Sequence, residues 1–217
     1  MLNKNGVRKY KLVHVKSDKY TFLKISMSVC VCVYIYIYIY TYILIEEVEI
    51  NTGELLLAQT GDGYTAFQLA AWENHVEMLK PLWVWAEETQ RNPTELKNKL
   101  FLDKDNYGFI TWNVAALGGS LEALETLWKW ARELELNTDE LLLDESGAGN
   151  TAFQMAAWKN HIEILKTLWV WAAETQLNPT KLKNILFLEK DQNGFIAWHR
   201  AAIRRQSRGI RNFVELG

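Results

Sequence analysis

The chain repeats itself with a period of 86 residues, and this repeat constrains the fold more than any other feature. Residues 51–116 align without a gap to residues 137–202, and 45 of those 66 positions are identical. A glycine-centred marker occurs twice in each block, with spacings of 45, 41 and 45 residues. The marker glycines are Gly63, Gly108, Gly149 and Gly194. Such a period indicates an array of similar units that stack on their neighbours.

Each unit carries the signals of three helices. A short helix is predicted from Thr65, and residues 75–89 place apolar side chains three and four apart, as one face of a second helix requires. Asn92 followed by Pro93 is typical of a helix cap and first helical position, so a third, shorter helix is predicted there. Pro81 lies inside the second helix, where we expect a kink because proline lacks the N–H group that the helix uses.

Two segments resemble the ankyrin repeat family: TAFQLAAWENHVEMLK at positions 65–80 and TAFQMAAWKNHIEILK at positions 151–166. They stand where that family has its Thr-Pro-Leu-His-x-Ala-Ala and Gly-His-x-Glu-Ile-Val signatures. The matching positions are Thr65, Ala70, Ala71, His75, Glu77, Thr151, Ala156, Ala157, His161 and Glu163. The family's unit has about 33 residues, so these units are longer by the third helix. The resemblance implies an all-α, ankyrin-like helical repeat solenoid over residues 46–203, with His75 and His161 bonding between units.

Neither end of the chain follows the repeat. Residues 28–45 read SVCVCVYIYIYIYTYILI, a low-complexity tract in which Tyr and Ile alternate. One hypothesis is that residues 1–45 derive from non-coding sequence, because simple dinucleotide runs would be translated as Cys-Val and Tyr-Ile pairs. The alternative is a membrane anchor, since 18 uncharged residues reach the minimum length for a spanning helix. We therefore expect an unpacked N-terminal segment and a divergent tail at residues 204–217.

Charge is distributed unevenly along the chain, whose formal net charge is −2. Residues 1–45 carry seven Lys and Arg against one Asp, and residues 200–217 carry five Arg against one Glu. Residues 46–199 therefore sum to −12. Because an acidic array repels phosphate backbones, no nucleic-acid partner is expected, and a protein with a basic surface is the favoured kind of partner.

No arrangement of residues points to catalysis, a metal or a cofactor. The acidic residues of the array recur from unit to unit, as helix caps and solvated faces do, whereas an active site would interrupt the repetition. Cys30 and Cys32 lie in the low-complexity tract, and His14 and His199 have no partners at ligand spacing. The chain is expected to be non-enzymatic and cytoplasmic, with membrane association through residues 28–45 as the alternative.

All ten tryptophans lie in the array, most of them in pairs two residues apart such as Trp83 and Trp85. Residues two apart on a helix point in different directions, so both rings cannot fill one apolar stripe. One interpretation is that one ring packs in its own unit and the other against the next unit or the third helix. The other interpretation is an exposed aromatic surface that anchors a partner.

The resemblance implies that turn tips and the exposed face of the first helices bind a partner, and these positions vary between units. At the turns they are Asp62, Tyr64, Tyr107, Phe109 and Asn150. On the helices they are Leu69, Trp72, Glu73, Val114, Leu117, Met155, Trp158 and Lys159. The predicted function is a protein-binding scaffold. A membrane-tethered form and a truncated, non-functional copy of a longer repeat protein are the alternatives.

Overall fold

The computed structural model describes residues 51–89, 92–174 and 178–203, and over these residues the protein is all-α. Within that part of the chain there is no β-strand, only two single bridges, Gln59 to Thr65 and Glu145 to Thr151. The same part contains no helix that is both long and apolar enough to cross a membrane. The predictions for the N-terminal tract and the divergent tail lie outside the described residues.

The helices follow one another in a repeating order of first, second and third helix. Their bounds are α1 Thr52–Leu56, α2 Ala66–Trp72, α3 Val76–Glu88, α4 Pro93–Leu102, α5 Thr111–Gly118, α6 Leu121–Glu133, α7 Thr138–Leu143, α8 Ala152–Lys159, α9 Ile162–Glu174, α10 Pro179–Leu188 and α11 Ala197–Ile203. Unit 1 is α2 to α4, unit 2 is α5 to α7, and unit 3 is α8 to α10. Helix α1 corresponds to the third helix of a preceding unit, and α11 to the first helix of unit 4. The predicted three-helix order is confirmed, but the third helix is shorter than the first only in unit 2.

Reciprocal caps fix where two of the first helices begin. Thr65 Oγ1 accepts from the backbone N–H of Gln68 at 3.2 Å, and the Thr65 N–H donates to Gln68 Oε1 at 2.9 Å. Thr151 and Gln154 repeat the arrangement at 3.3 and 2.8 Å. Each cap satisfies two N–H groups that the helix leaves without a partner, so α2 and α8 begin at the same place in their units.

Asparagine caps begin most of the third helices. Asn178 Oδ1 accepts from the N–H groups of Thr180 at 3.0 Å and Lys181 at 3.3 Å, as the sequence predicts. The predicted cap at Asn92 is wrong, because Asn92 has a left-handed backbone with φ of 49° and makes no capping bond. Its side-chain amide donates to Glu95 at 2.8 Å instead. Pro93 therefore predicts the start of α4 correctly, whereas the capping role predicted for Asn92 does not occur.

Equivalent helices of neighbouring units pack against one another. The first helices form one row, in the order α2, α5, α8 and α11, and each second helix packs beside the first helix of its own unit. Third helices α1 and α7 also reach the second helix of the following unit, α3 and α9. Small, fully buried alanines such as Ala71 and Ala115 let the first helices approach closely.

Stacked tryptophans join the second helices. The rings of Trp83 and Trp130 are parallel within 6° with centres 4.4 Å apart, and those of Trp128 and Trp171 are parallel within 6° at 4.5 Å. In each pair the first tryptophan of one unit meets the second tryptophan of the next. The interpretation that one ring of each pair packs against the next unit is confirmed for these four rings, all of which are buried.

Side-chain hydrogen bonds also cross from unit to unit. Gln68 Nε2 donates to the carbonyl of Asp103 at 3.0 Å and to that of Phe109 at 3.3 Å, which fixes the turn that leads into α5. A ring nitrogen of His161 lies 3.2 Å from the Leu117 carbonyl, so the predicted bond between units is confirmed there. His75 instead lies 3.4 Å from Glu77 of its own unit. No first helix precedes α2 among the described residues, so His75 has no equivalent carbonyl to meet.

Pro81 lies within α3, which continues from Val76 to Glu88 as one helix. Its position is five residues after the start of the helix, where an N–H group would donate to the Glu77 carbonyl. Proline removes that donor without ending the helix. The equivalent residues of units 2 and 3 are Thr126 and Thr167, which retain it.

Candidate functional site

A tight turn precedes each first helix, and the turn before α5 shows its geometry. The Asp105 N–H donates to the Phe109 carbonyl at 3.0 Å, and the Gly108 N–H donates back to the Asp105 carbonyl at 3.0 Å. Gly108 has φ of +75°, and a Cβ atom there would lie 2.4 Å from the backbone nitrogen of Gly147 in the next turn. Glycine is thus required by its own conformation and by the neighbouring turn.

One polar side chain closes each of these turns. Asp105 Oδ1 accepts from the N–H groups of Tyr107 at 2.8 Å and Phe109 at 2.9 Å. In the other three turns the oxygen at this position also accepts backbone N–H groups, and it belongs to Thr60, Ser146 and Asp191. The turn shape is therefore maintained although the residue changes.

The turns bond to one another through main-chain atoms and so form a row along the array. The Gly147 N–H donates to the Tyr107 carbonyl at 2.8 Å, and the Gln192 N–H donates to the Ala148 carbonyl at 3.2 Å. These two bonds do not depend on which side chains the tips display, whereas the first two turns are joined by the Asn106 side-chain amide, which donates to the Gly61 carbonyl at 3.2 Å. At the two later junctions, sequence can therefore vary at the tips without loss of the frame.

Eleven of the thirteen residues predicted to contact a partner are exposed or half-buried on this row and on the first helices. Those exposed are Asp62, Leu69, Glu73 and Tyr107. Those half-buried are Tyr64, Trp72, Phe109, Leu117, Asn150, Trp158 and Lys159. The predicted set therefore contains many side chains that a partner can reach.

The remaining two predictions are corrected, because Val114 is 0% exposed and Met155 is 2% exposed. Both stand at the position of Leu69 in their units, on first helices that each pack between two others. Leu69 is 39% exposed and lies on α2, which comes first among the described first helices. Val114 and Met155 belong to the packing between units and not to the surface.

Four aromatic side chains of the predicted set come together between units 1 and 2. The ring of Tyr64 meets that of Trp72 edge-on with centres 5.6 Å apart, and it lies 6.2 Å from that of Tyr107. The ring of Phe109 lies 6.3 Å from that of Tyr107. The structure thus gathers residues from two turns and one helix into a single aromatic cluster.

Acidic groups lie beside this cluster. Burial is the main cause that raises the pKa of Tyr64 to about 12, and the negative charge of Asp105, with smaller effects of Tyr107 and Asp62, acts in the same direction. The tyrosine therefore stays a neutral phenol at physiological pH, next to carboxylates that favour a cation.

Between units 3 and 4, an arginine lies beside aromatic rings equivalent to two members of this cluster. Arg200 on α11 donates from Nε to Oδ2 of Asp191 at 2.6 Å, and Nη2 contacts the same oxygen. Its guanidinium carbon lies 5.0 Å from the ring centre of Phe195 and 5.8 Å from that of Trp158. Lys159 also lies over the Trp158 ring, at 5.0 Å. A carboxylate and two aromatic faces thus hold one guanidinium within the molecule.

Sequence reasoning did not single out the carboxylates of Asp105 and Asp191. The available signal was that both aspartates occur 86 residues apart in turns that differ at other positions, and that Arg200 replaces an apolar residue of the other units. Among the described residues, no group of three His, Cys, Asp or Glu side chains is placed to hold a metal ion.

No family model matches the chain, and no curated protein matches its sequence.

Proposed function

We propose that the chain is a non-enzymatic protein-binding scaffold, built as an ankyrin-like helical repeat solenoid. The observation that supports this most directly is that the turns share one backbone arrangement while their exposed side chains differ between units. Main-chain bonds such as that between Gly147 and Tyr107 hold the row, while the side chains that it presents differ from unit to unit. A constant frame with variable exposed residues suits recognition of another protein.

The packing between neighbours supports the solenoid part of the proposal. Equivalent first helices stack in sequence order, and each of the two parallel tryptophan pairs joins adjacent units only. Structures that extend by such nearest-neighbour contacts offer a long continuous surface for a partner.

The charge of the array favours a partner with a basic surface. Residues 46–199 carry a formal charge of −12, and exposed apolar residues such as Leu69 and Tyr107 lie among the acidic ones. Apolar and aromatic anchors surrounded by charge are typical of protein contacts, whereas a nucleic acid would be repelled.

The test is quantitative affinity capture with the full-length chain and two double variants. The first, Leu69→Ser with Tyr107→Ser, alters the proposed surface, where these residues are 39% and 52% exposed. The control, Val84→Ser with Val170→Ser, alters second helices at residues that are 43% and 54% exposed. The two variants therefore remove similarly exposed apolar side chains from different faces.

We expect proteins retained by the wild-type chain to bind the surface variant at least about tenfold more weakly, because removal of interface anchors costs about 1 kcal/mol or more each. The control variant should retain them. Thermal unfolding of each purified chain would verify that both variants fold as the wild type does. Equal retention by the two variants, or no saturable binding of any protein to the wild type, would refute the proposal.

A further inference from the structure

The framework that holds Arg200 occurs a second time, 86 residues earlier, without an arginine. Asp105, Phe109 and Trp72 are the counterparts of the carboxylate and the two aromatic rings that hold the guanidinium. Val114 is the counterpart of the arginine itself. The first copy therefore has the carboxylate and the two aromatic rings but no arginine for them to bind.

Asp105 consequently has one acceptor oxygen that no described residue uses. Its Oδ1 accepts from the N–H groups of Tyr107 and Phe109. Its Oδ2 is buried without a hydrogen-bond partner among the described residues, and the whole residue is only 6% exposed. A buried carboxylate oxygen without a donor is unfavourable, so the site is incomplete as it stands.

The first copy also has two aromatic residues that the second lacks. Tyr64 and Tyr107 replace Asn150 and Asn193, and both rings belong to the aromatic cluster beside Trp72. Tyr107 is 52% exposed, so this part of the cluster is open to solvent. Additional aromatic faces strengthen the attraction for a planar cation such as a guanidinium.

The lysine next to Asp105 in the chain binds other groups. Lys104 precedes Asp105, but its Nζ lies 3.1 Å from Oδ1 of Asp144 and donates to the Glu145 carbonyl at 2.9 Å. Within the described ranges, no Lys or Arg forms an ion pair with Asp105. The negative charge of the site is thus available to a cation from another molecule.

We propose that Asp105, Trp72, Phe109, Tyr64 and Tyr107 form a receptor site for an arginine side chain presented by a protein partner. We call it the arginine site. This inference rests on the proposed protein-binding function and specifies what the partner must present. Because Oδ2 of Asp105 lies below the surface, a guanidinium reaches it only as neighbouring side chains move apart, and the site forms around its ligand.

The test is a titration of the full-length chain, ¹⁵N-labelled at the tryptophan indoles, with the peptide acetyl-Gly-Ser-Arg-Ser-Gly-amide. Control peptides carry lysine or citrulline in place of arginine. The Trp72 indole resonance is assigned by its loss in Trp72→Phe. We expect a saturable shift of this resonance with the arginine peptide and a response about tenfold weaker with the lysine peptide. The citrulline peptide, which has the shape without the charge, should give no shift.

Two matched variants test the carboxylate. Asp105→Asn keeps an oxygen for the turn N–H groups but removes the charge, and we expect it to weaken binding of the arginine peptide about tenfold or more. Asp103→Asn removes the same charge from an exposed aspartate two residues earlier in the chain and should leave the affinity unchanged. Both variants are compared with the wild type by thermal unfolding, so that a folding defect is recognised.

The arginine site is refuted if the Trp72 resonance does not move at arginine-peptide concentrations up to about 10 mM. It is also refuted if the citrulline peptide gives the same shift, or if Asp105→Asn binds as well as the wild type. A titration of the wild type alone decides the first two outcomes, even if Asp105→Asn fails to fold.

Failure of the arginine site can be distinguished from failure of the proposed function. If a captured partner depends on Leu69 and Tyr107 but not on Asp105, and excess arginine peptide does not displace it, only the arginine site is wrong. If no partner binds saturably while the arginine peptide still shifts Trp72, the scaffold function is wrong and the arginine site is a property of the isolated surface.

Discussion

The two 86-residue copies share their helices and turns, but only the first has a complete described unit after it. In the first copy, Trp83 is stacked on Trp130 of the next unit at 4.4 Å. In the second, the equivalent Trp169 meets Phe187 edge-on at 4.9 Å. A lysine lies over the ring in both copies, Lys97 at 4.9 Å and Lys183 at 4.3 Å. The same residue type therefore makes different contacts in the two copies. Packing in the array depends on neighbours as well as on the unit's own sequence.

A second difference concerns charge. In the second copy, Arg200 lies against the carboxylate of Asp191 and the rings of Phe195 and Trp158. The first copy has Val114 in place of the arginine, and one carboxylate oxygen of Asp105 has no hydrogen-bond donor among the described residues. The arginine thus gives Asp191 an internal ion pair that Asp105 lacks among the described residues.

The largest expected effect comes from removing the equivalent tryptophans. Trp83→Ala deletes a buried stacked ring and leaves a cavity, so we expect a loss of about 3–5 kcal/mol in the free energy of unfolding. Trp169→Ala removes a half-buried ring and should cost about 1–2 kcal/mol. Urea unfolding of both full-length variants measures the difference. Equal losses would show that stacking between units does not distinguish the copies.

The next effect concerns the second helices, α3 and α9. Pro81→Thr restores an N–H group for the Glu77 carbonyl, and we expect it to stabilise the protein by up to about 3 kcal/mol. Thr167→Pro, the reciprocal change, should destabilise by about 3 kcal/mol for the same reason. Urea unfolding again measures both. Loss in the second variant without gain in the first would mean that α3 has adapted to its proline.

A smaller effect is expected at the turn aspartates. Asp191→Asn takes a charged acceptor from Arg200 and should destabilise by about 1.5–3 kcal/mol, the usual range for hydrogen bonds to charged groups. Asp105→Asn should cost less than about 1 kcal/mol, because the amide oxygen can still accept from the Tyr107 and Phe109 N–H groups. Thermal unfolding of the two variants compares them. A larger loss at Asp105 would indicate that its charge already has a partner.

The smallest effect is a pH dependence of stability that arises from His161, which bonds across two units. Burial lowers the pKa of His161 below 6.5; a hydrogen bond with the Leu117 carbonyl opposes this shift, and the charge of Lys159 adds to it. The unfolded chain therefore binds more protons as the pH falls. The contribution of His161 to stability is complete above the unfolded pKa and is lost as the pH falls through the folded pKa.

Melting temperatures between about pH 7.5 and about pH 5 measure this contribution. We expect His161→Gln to reduce the loss of stability on acidification. An identical acid dependence in the wild type and His161→Gln would contradict the assignment.

Local signals predicted the helices well. The Thr65 cap, the apolar spacing of residues 75–89 and the Pro93 signal each correspond to a helix within one residue of the observed bounds. These signals act through the backbone of a few adjacent residues, so a sequence alone displays them. The repeat then placed the same helices in the next block.

Contacts between distant residues could not be predicted in the same way. Val114 and Met155 vary between units as surface residues do, but a neighbouring first helix covers them, and sequence variation does not show which side of a helix is covered. The role of Asp105 depends on one carboxylate oxygen being used by its own turn and the other not. Only the atomic distances of the folded protein show these contacts.

If both copies carry one framework for a guanidinium, an arginine placed in the first copy must pair with Asp105. We would introduce Val114→Arg into a Tyr64→Asn background, with and without Asp105→Asn, and obtain the coupling energy from urea unfolding of the four chains. The predicted coupling is about 1.5–3 kcal/mol, similar to that of Arg200 with Asp191 measured in the same way. A coupling near zero for the introduced pair, with normal coupling for the native pair, would contradict the shared framework.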